Sequence, residues 1–125
     1  MGNIKRLPDS EFEIMRVVWE NEPPITTALV MDKLGDKRKW KAPTVLTLMS
    51  RLVDRGFLRT DKRGKERIYY PLIGREDYLE LETEKFMEQY HENSFLSFVN
   101  TLYNIKQPTE IELDELLKWA KERRE

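Results

Sequence analysis

Apolar residues recur every three or four positions through the first third of the chain, then alternate with polar ones, then return to helical spacing. Phe12, Met15 and Trp19, supported by Val18, share one helical face, and Ser10 with Glu13 has capping-box spacing after Pro8 and Asp9. Pro23 and Pro24 stop this first helix. A second, shorter helix is predicted from about Thr26 or Thr27, with Leu29, Val30 and Leu34 apolar and Gly35 in the place of a C-terminal cap. A third begins near Ala42, where Pro43 is tolerated because a first-turn amide has no helical partner. On it Val45, Leu48, Met49 and Leu52 fall on one side, and Thr44, Thr47, Arg51 and Asp54 cluster opposite. Gly56 ends this helix, and FLRTDKR and ERIYYPL read as two strands joined at Gly64. Ile68 and Tyr70 point inward there and Arg67 and Tyr69 outward, or the reverse in a shifted register.

Three helices followed by a β-hairpin is the order of a winged helix-turn-helix domain, which is assigned to residues 1–73. From Gly74 onward strand signals vanish and acidic residues mix with large apolar ones. Helices are expected from about Arg75 to Glu92, from Ser94 to Tyr103, and after Pro108, where Thr109 and Glu112 form a capping box. The fold class is thus mainly α with a small β-hairpin, residues 74–125 being a helical dimerisation region. Between Phe86 and Ile105, 10 of 20 residues are large and apolar, too many for a solvated tail. An arm of 52 residues does not easily bury that surface alone, since cores below roughly 70 to 80 residues rarely suffice without help. A second copy of the chain is the economical source, with Leu79, Phe86, Tyr90, Phe95, Phe98, Val99, Leu102 and Leu116 as the dimerisation residues. The alternative is an arm folded back on its own N-terminal domain.

Charge changes this picture more than composition does. The net charge is −1, yet residues 1–73 hold 15 basic against 10 acidic side chains and residues 74–125 hold 7 against 13. Lys33 to Arg67 alone carries 12 basic and 4 acidic residues, a concentration suited to phosphate or simply to a solvated basic face. The absence of cysteine excludes disulfides and thiolate chemistry, and MGNIKRLPDSEFEI lacks the apolar stretch of a signal peptide, so a cytoplasmic protein is expected. No apolar run approaches the roughly 18 residues of a bilayer span, so membrane insertion is not expected.

A helix that enters the major groove needs polar side chains outside and apolar ones behind. Thr44, Thr47 and Arg51 meet that need: the arginine suits a guanine edge or a phosphate, and the threonines a phosphate, a base edge or a thymine methyl. The hairpin tip DKRGKER places Lys62, Arg63, Lys65 and Arg67 around one glycine, as a wing on the sugar-phosphate backbone would require. Lys37, Arg38, Lys39 and Lys41 form a second basic cluster just before the third helix, and Trp40 among them reads as a partly buried anchor in preference to a stacking group.

SEFEIMRVVWE, WKAPTVLTLMSRLVDRGFL, the hairpin ending RIYYPL and GREDYLELE resemble the BlaI/MecI family of penicillinase repressors over nearly the whole chain. The resemblance implies a dimeric repressor on a partly palindromic operator of double-stranded DNA, with β-lactam resistance or related genes as the regulated set. It places the family's recognition contacts on Thr44, Thr47 and Arg51, whereas Lys41, Ala42 and Pro43 stand where the family usually has a serine-proline pair followed by a lysine, and that lysine is missing. It also implies a membrane sensor-protease system as a partner. The family's cleavage dipeptide, asparagine then phenylalanine, would fall near Thr101 and Leu102, and neither matches, although Asn100 is adjacent. The cysteine pairs of related copper-responsive repressors have no counterpart.

Other classes find little footing. The single histidine, His91, has Glu88 at Glu-x-x-His spacing with Glu84 and Glu92 nearby, but a helical carboxylate metal site needs a second such pair. No enzyme activity and no cofactor are expected. The remaining alternative is a winged-helix protein-interaction module whose basic hairpin meets an acidic partner.

Overall fold

The computed structural model describes residues 5–124. Helix α1 spans Asp9–Trp19, two residues earlier than a capping box on Ser10 predicts. Pro8 occupies the cap without a side-chain bond, its carbonyl accepting the Phe12 amide at 2.9 Å. The Ser10–Glu13 box does not form, because Ser10 lies inside the first turn and the Glu13 carboxylate pairs with Arg38.

Strand β1 (Ile25–Thr26) was not foreseen, being too short to show a period. Thr26 then caps helix α2 (Thr27–Val30), its Oγ1 accepting the Leu29 amide at 3.1 Å. A π-helical turn (Met31–Gly35) and helix α3 (Asp36–Arg38) continue the same run, which ends at Lys39 with φ 58°. Gly35 is therefore not the expected cap. A Cβ at that position would lie 3.2 Å from Met31 Cε and 3.7 Å from the Trp40 carbonyl oxygen, so glycine serves close packing inside the run. Trp40 is half-buried against the core, as an anchor should be.

Helix α4 (Ala42–Asp54) buries Val45, Leu48, Met49 and Leu52. Its end is a Schellman motif: Gly56 at φ 84° donates to the Val53 carbonyl at 3.0 Å and Phe57 to the Leu52 carbonyl at 2.9 Å. That bond pair delivers Phe57 into the core and starts strand β2 (Leu58–Arg63). Strand β3 (Glu66–Pro71) pairs antiparallel with β2, from Leu58 opposite Pro71 to Arg63 opposite Glu66, and Gly64 turns at φ 66°. β1 adds to the far side of β3, with Ile25 opposite Tyr69, giving a three-stranded sheet in the order β1-β3-β2. Simple alternation along β3 fails as a result. Tyr69 joins the core and Ile68 is buried as well, while Tyr70 is half-exposed under the Arg59 guanidinium at 4.3 Å.

Helices α5 (Arg75–His91), α6 (Phe95–Ile105) and α7 (Glu110–Arg124) complete the chain. It divides into two compact units, one ending at Glu82 and the other starting at Thr83. In the first, Tyr78 seats among Phe12, Trp19 and Phe57 with ring centroids 5.6 to 5.8 Å away. Its hydroxyl accepts the Leu7 amide at 2.8 Å, and Trp19 Nε1 donates to the Ile73 carbonyl at 2.9 Å. Burial pushes the Tyr78 phenol above its ordinary range, against the opposing pull of the Leu7 amide. In the same unit the carboxylate of fully buried Glu11 receives Arg55 Nε at 2.7 Å, tying α1 to the end of α4.

In the second unit α5 turns into α6 through Glu92 and Asn93, both at positive φ. Ser94 caps α6 by accepting the Ser97 amide at 3.1 Å. His91 lies 2.9 Å through Nδ1 from Ser97 Oγ, stacks on Phe86 at 5.2 Å and meets Phe98 edge-on at 5.5 Å. Its ring is part of a helix-junction cluster, and among the described residues no group of three acidic or histidine side chains could hold a metal. The predicted capping box of α7 forms: Thr109 Oγ1 accepts the Glu112 amide at 3.1 Å and a Glu112 oxygen accepts the Thr109 amide at 3.0 Å. Those bonds hold the Glu112 carboxyl below its ordinary range.

Candidate nucleic-acid interface

Four buried apolar side chains bind α4 to the domain, so its opposite side is presented to solvent. Thr44, Thr47, Ser50 and Arg51 are all exposed there, with Lys41 at the cap position. Thr47 Oγ1 donates to the Pro43 carbonyl at 3.0 Å, which engages its proton and leaves the oxygen as an acceptor. Ser50 and Leu46, neither singled out from the sequence, are also exposed. Their signal was the same wheel that found Thr47, since both occupy the half opposite the buried quartet.

The structure sorts the basic residues in a way that composition does not. Arg38, Arg55 and Arg59 are spent inside the domain on Glu13, Glu11 and Asp61. Among the described residues, Lys41, Arg51, Lys62, Arg63, Lys65 and Arg67 have no carboxylate within salt-bridge distance, and all are exposed. The register also sets Lys62 directly opposite Arg67 across the hairpin. Like charges facing one another weaken a strand pair, and a phosphate between them would turn that repulsion into attraction. Arg59, held by Asp61 at 2.7 Å and lying over Tyr70, stiffens the base of the same hairpin. Of the two basic clusters, the hairpin tip is accordingly the freer one, and the stretch before α4 loses Arg38 to an internal pair.

The dimerisation candidates divide differently. Leu79 falls in the first unit, and Phe86, Tyr90, Phe95, Phe98, Val99, Leu102 and Leu116 in the second. Phe98 is half-buried against Phe86 and His91, whereas Tyr90, Phe95, Val99, Leu102 and Leu116 are exposed, as are Leu96, Ile105 and Leu117, which were not named. Among the described residues no helix is long and apolar enough to cross a membrane.

The chain is similar to known proteins in sequence and in fold. The chain is 29% identical over 122 residues to the penicillinase repressor of Bacillus licheniformis, covering 98% of this chain and 94% of that protein. It is 24% identical over 110 residues to the methicillin resistance regulatory protein MecI of Mammaliicoccus sciuri, covering 88% and 89%. The solution structure of the DNA-binding domain of the repressor BlaI superposes with a TM-score of 0.53 at 33% identity, covering 60% of this chain and 90% of that one. The monomeric form of B. licheniformis BlaI in complex with the blaP half-operator superposes with a TM-score of 0.51, with the same identity and coverage. The penicillinase repressor family model matches residues 7–122, and with a winged helix, an outward α4 and a hairpin of unpaired cations already in place, the chain belongs to that family of DNA-binding repressors.

Proposed function

We propose that this chain is a homodimeric repressor that holds a partly palindromic operator. In this reading residues 1–73 supply the DNA contacts and residues 74–125 the dimer. α4 enters the major groove through Thr44, Thr47 and Arg51, and Lys41, Lys62, Arg63, Lys65 and Arg67 grip the phosphates on either side. The observation that carries the reading is the set of exposed cations on the hairpin next to α4 that have no carboxylate partner among the described residues, with Lys62 facing Arg67. The half-operator complex of the B. licheniformis relative supports a site built of two repeats, one for each protomer.

Retention of the fragment upstream of the chain's own gene tests the reading. Binding should survive competitor DNA and fall steeply as salt rises from about 50 to 200 mM, since each neutralised phosphate releases counterions. Equal retention of every promoter fragment, or of none, would leave the basic hairpin to an acidic protein partner. Control by a membrane sensor-protease would act on α6, where Thr101 and Leu102 are exposed. Growth with a β-lactam, followed by a search for a shortened chain, tests that partner.

A further inference from the structure

Resting on the reading that α4 enters a major groove, we infer that Leu46 is a specificity-determining residue that packs against a thymine C5-methyl, so that each half-site carries a thymine facing it. Leu46 is 43% exposed on a helix whose buried side is complete without it. At about 100° per residue it lies beside Ser50, on the opposite flank of the outward face from Thr47 and Arg51. Its exposed neighbour there is the hydroxyl of Ser50, so a branched apolar group borders the face that carries Thr47 and Arg51, residues suited to base edges and phosphates. Leucine can neither give nor take a hydrogen bond. In a major groove it desolvates the amino group of cytosine or adenine, or the acceptors of guanine, without returning anything, whereas a T·A pair presents a methyl group at the groove edge. The short side chain of Ser50 leaves the longer leucine free to reach that methyl.

The probe is the duplex that footprinting identifies upstream of the chain's own gene, synthesised with symmetric thymine pairs replaced in turn by deoxyuridine. That change deletes one methyl per half-site and preserves every hydrogen-bonding group. At one pair of positions the full-length protein should bind more weakly by about fourfold per substituted half-site. Leu46→Ala should bind the thymine and uracil duplexes alike, with an unchanged salt dependence. Alanine is the best helix former and the position is exposed, so the variant should fold, which its thermal unfolding checks. Tight binding of every uracil duplex by the unsubstituted protein, or the same thymine preference in Leu46→Ala, overturns the inference while leaving α4 in the groove. A changed solution mass of Leu46→Ala with the thymine preference intact overturns it too, by placing the residue between protein surfaces. Failure of the protein to retain any duplex removes both this inference and the reading beneath it.

Discussion

Arg55 and Arg51 lie four residues apart on one helix end and do unrelated work. Arg55 Nε meets the carboxylate of Glu11, which is fully buried, so truncating the arginine strands a charge in the core. Arg55→Ala should destabilise the fold by about 1.5–3 kcal/mol, read as a lower urea midpoint at constant slope. Replacing both partners by methionine should recover most of that loss, because no buried charge is then left alone. Arg51 has no carboxylate partner among the described residues and is exposed, so Arg51→Ala should leave the midpoint within about 0.5 kcal/mol. Its cost should appear in operator affinity, about 1–3 kcal/mol at the base it reads, measured by titration of labelled duplex. Lys65→Ala should weaken every duplex alike and lower the salt slope by about one. Charge counts had put all of these residues into one basic stretch, and only their partners separate them.

Two capping boxes with the same spacing came out differently. Ser10–Glu13 is not formed, because Pro8 takes the cap and Arg38, from 25 positions further along, draws off the Glu13 carboxylate. Thr109–Glu112 is formed on both sides. Glu112 therefore titrates below its ordinary range, first through the Thr109 amide, then the Thr109 hydroxyl and the Lys106 charge. A carboxyl whose folded pKa is depressed contributes stability that is present above its unfolded value of 4.5 and lost as pH falls through the folded value. The first turn of α7 should accordingly fray as pH is lowered from above 4.5, seen in the amide shifts of Thr109 and Glu112, while Glu112→Gln should flatten that response. Helix periods and hairpin position were readable along the chain. The run from Thr27 to Arg38 was not, because its end depends on Trp40 packing beside Gly35 and on Lys39 accepting a left-handed φ.

At the scale of the molecule, the first unit closes its core with Tyr78, and the second leaves Phe95, Leu96, Val99, Leu102, Ile105, Leu116 and Leu117 exposed. Apolar side chains so dense on a 43-residue unit are what a second copy would cover. Light scattering at micromolar concentration should give twice the mass of one chain. Val99→Asp combined with Leu116→Asp should return the single-chain mass and weaken retention of a two-half-site operator by at least tenfold, while a half-site duplex is bound as before. A single-chain mass for the unsubstituted protein would end the dimer proposal without touching α4.

Periodicity, punctuation and charge order were enough for the helix–helix–helix–hairpin succession, the inner side of α4 and the cationic tip, because each depends on residues a few positions apart. Folding decided which cations are unpaired, where α3 stops, that a two-residue strand joins the sheet, and that Leu7 and Tyr78, 71 positions apart, share a hydrogen bond. Those features arise where distant segments compete for the same partner, and a linear pattern contains no record of who wins.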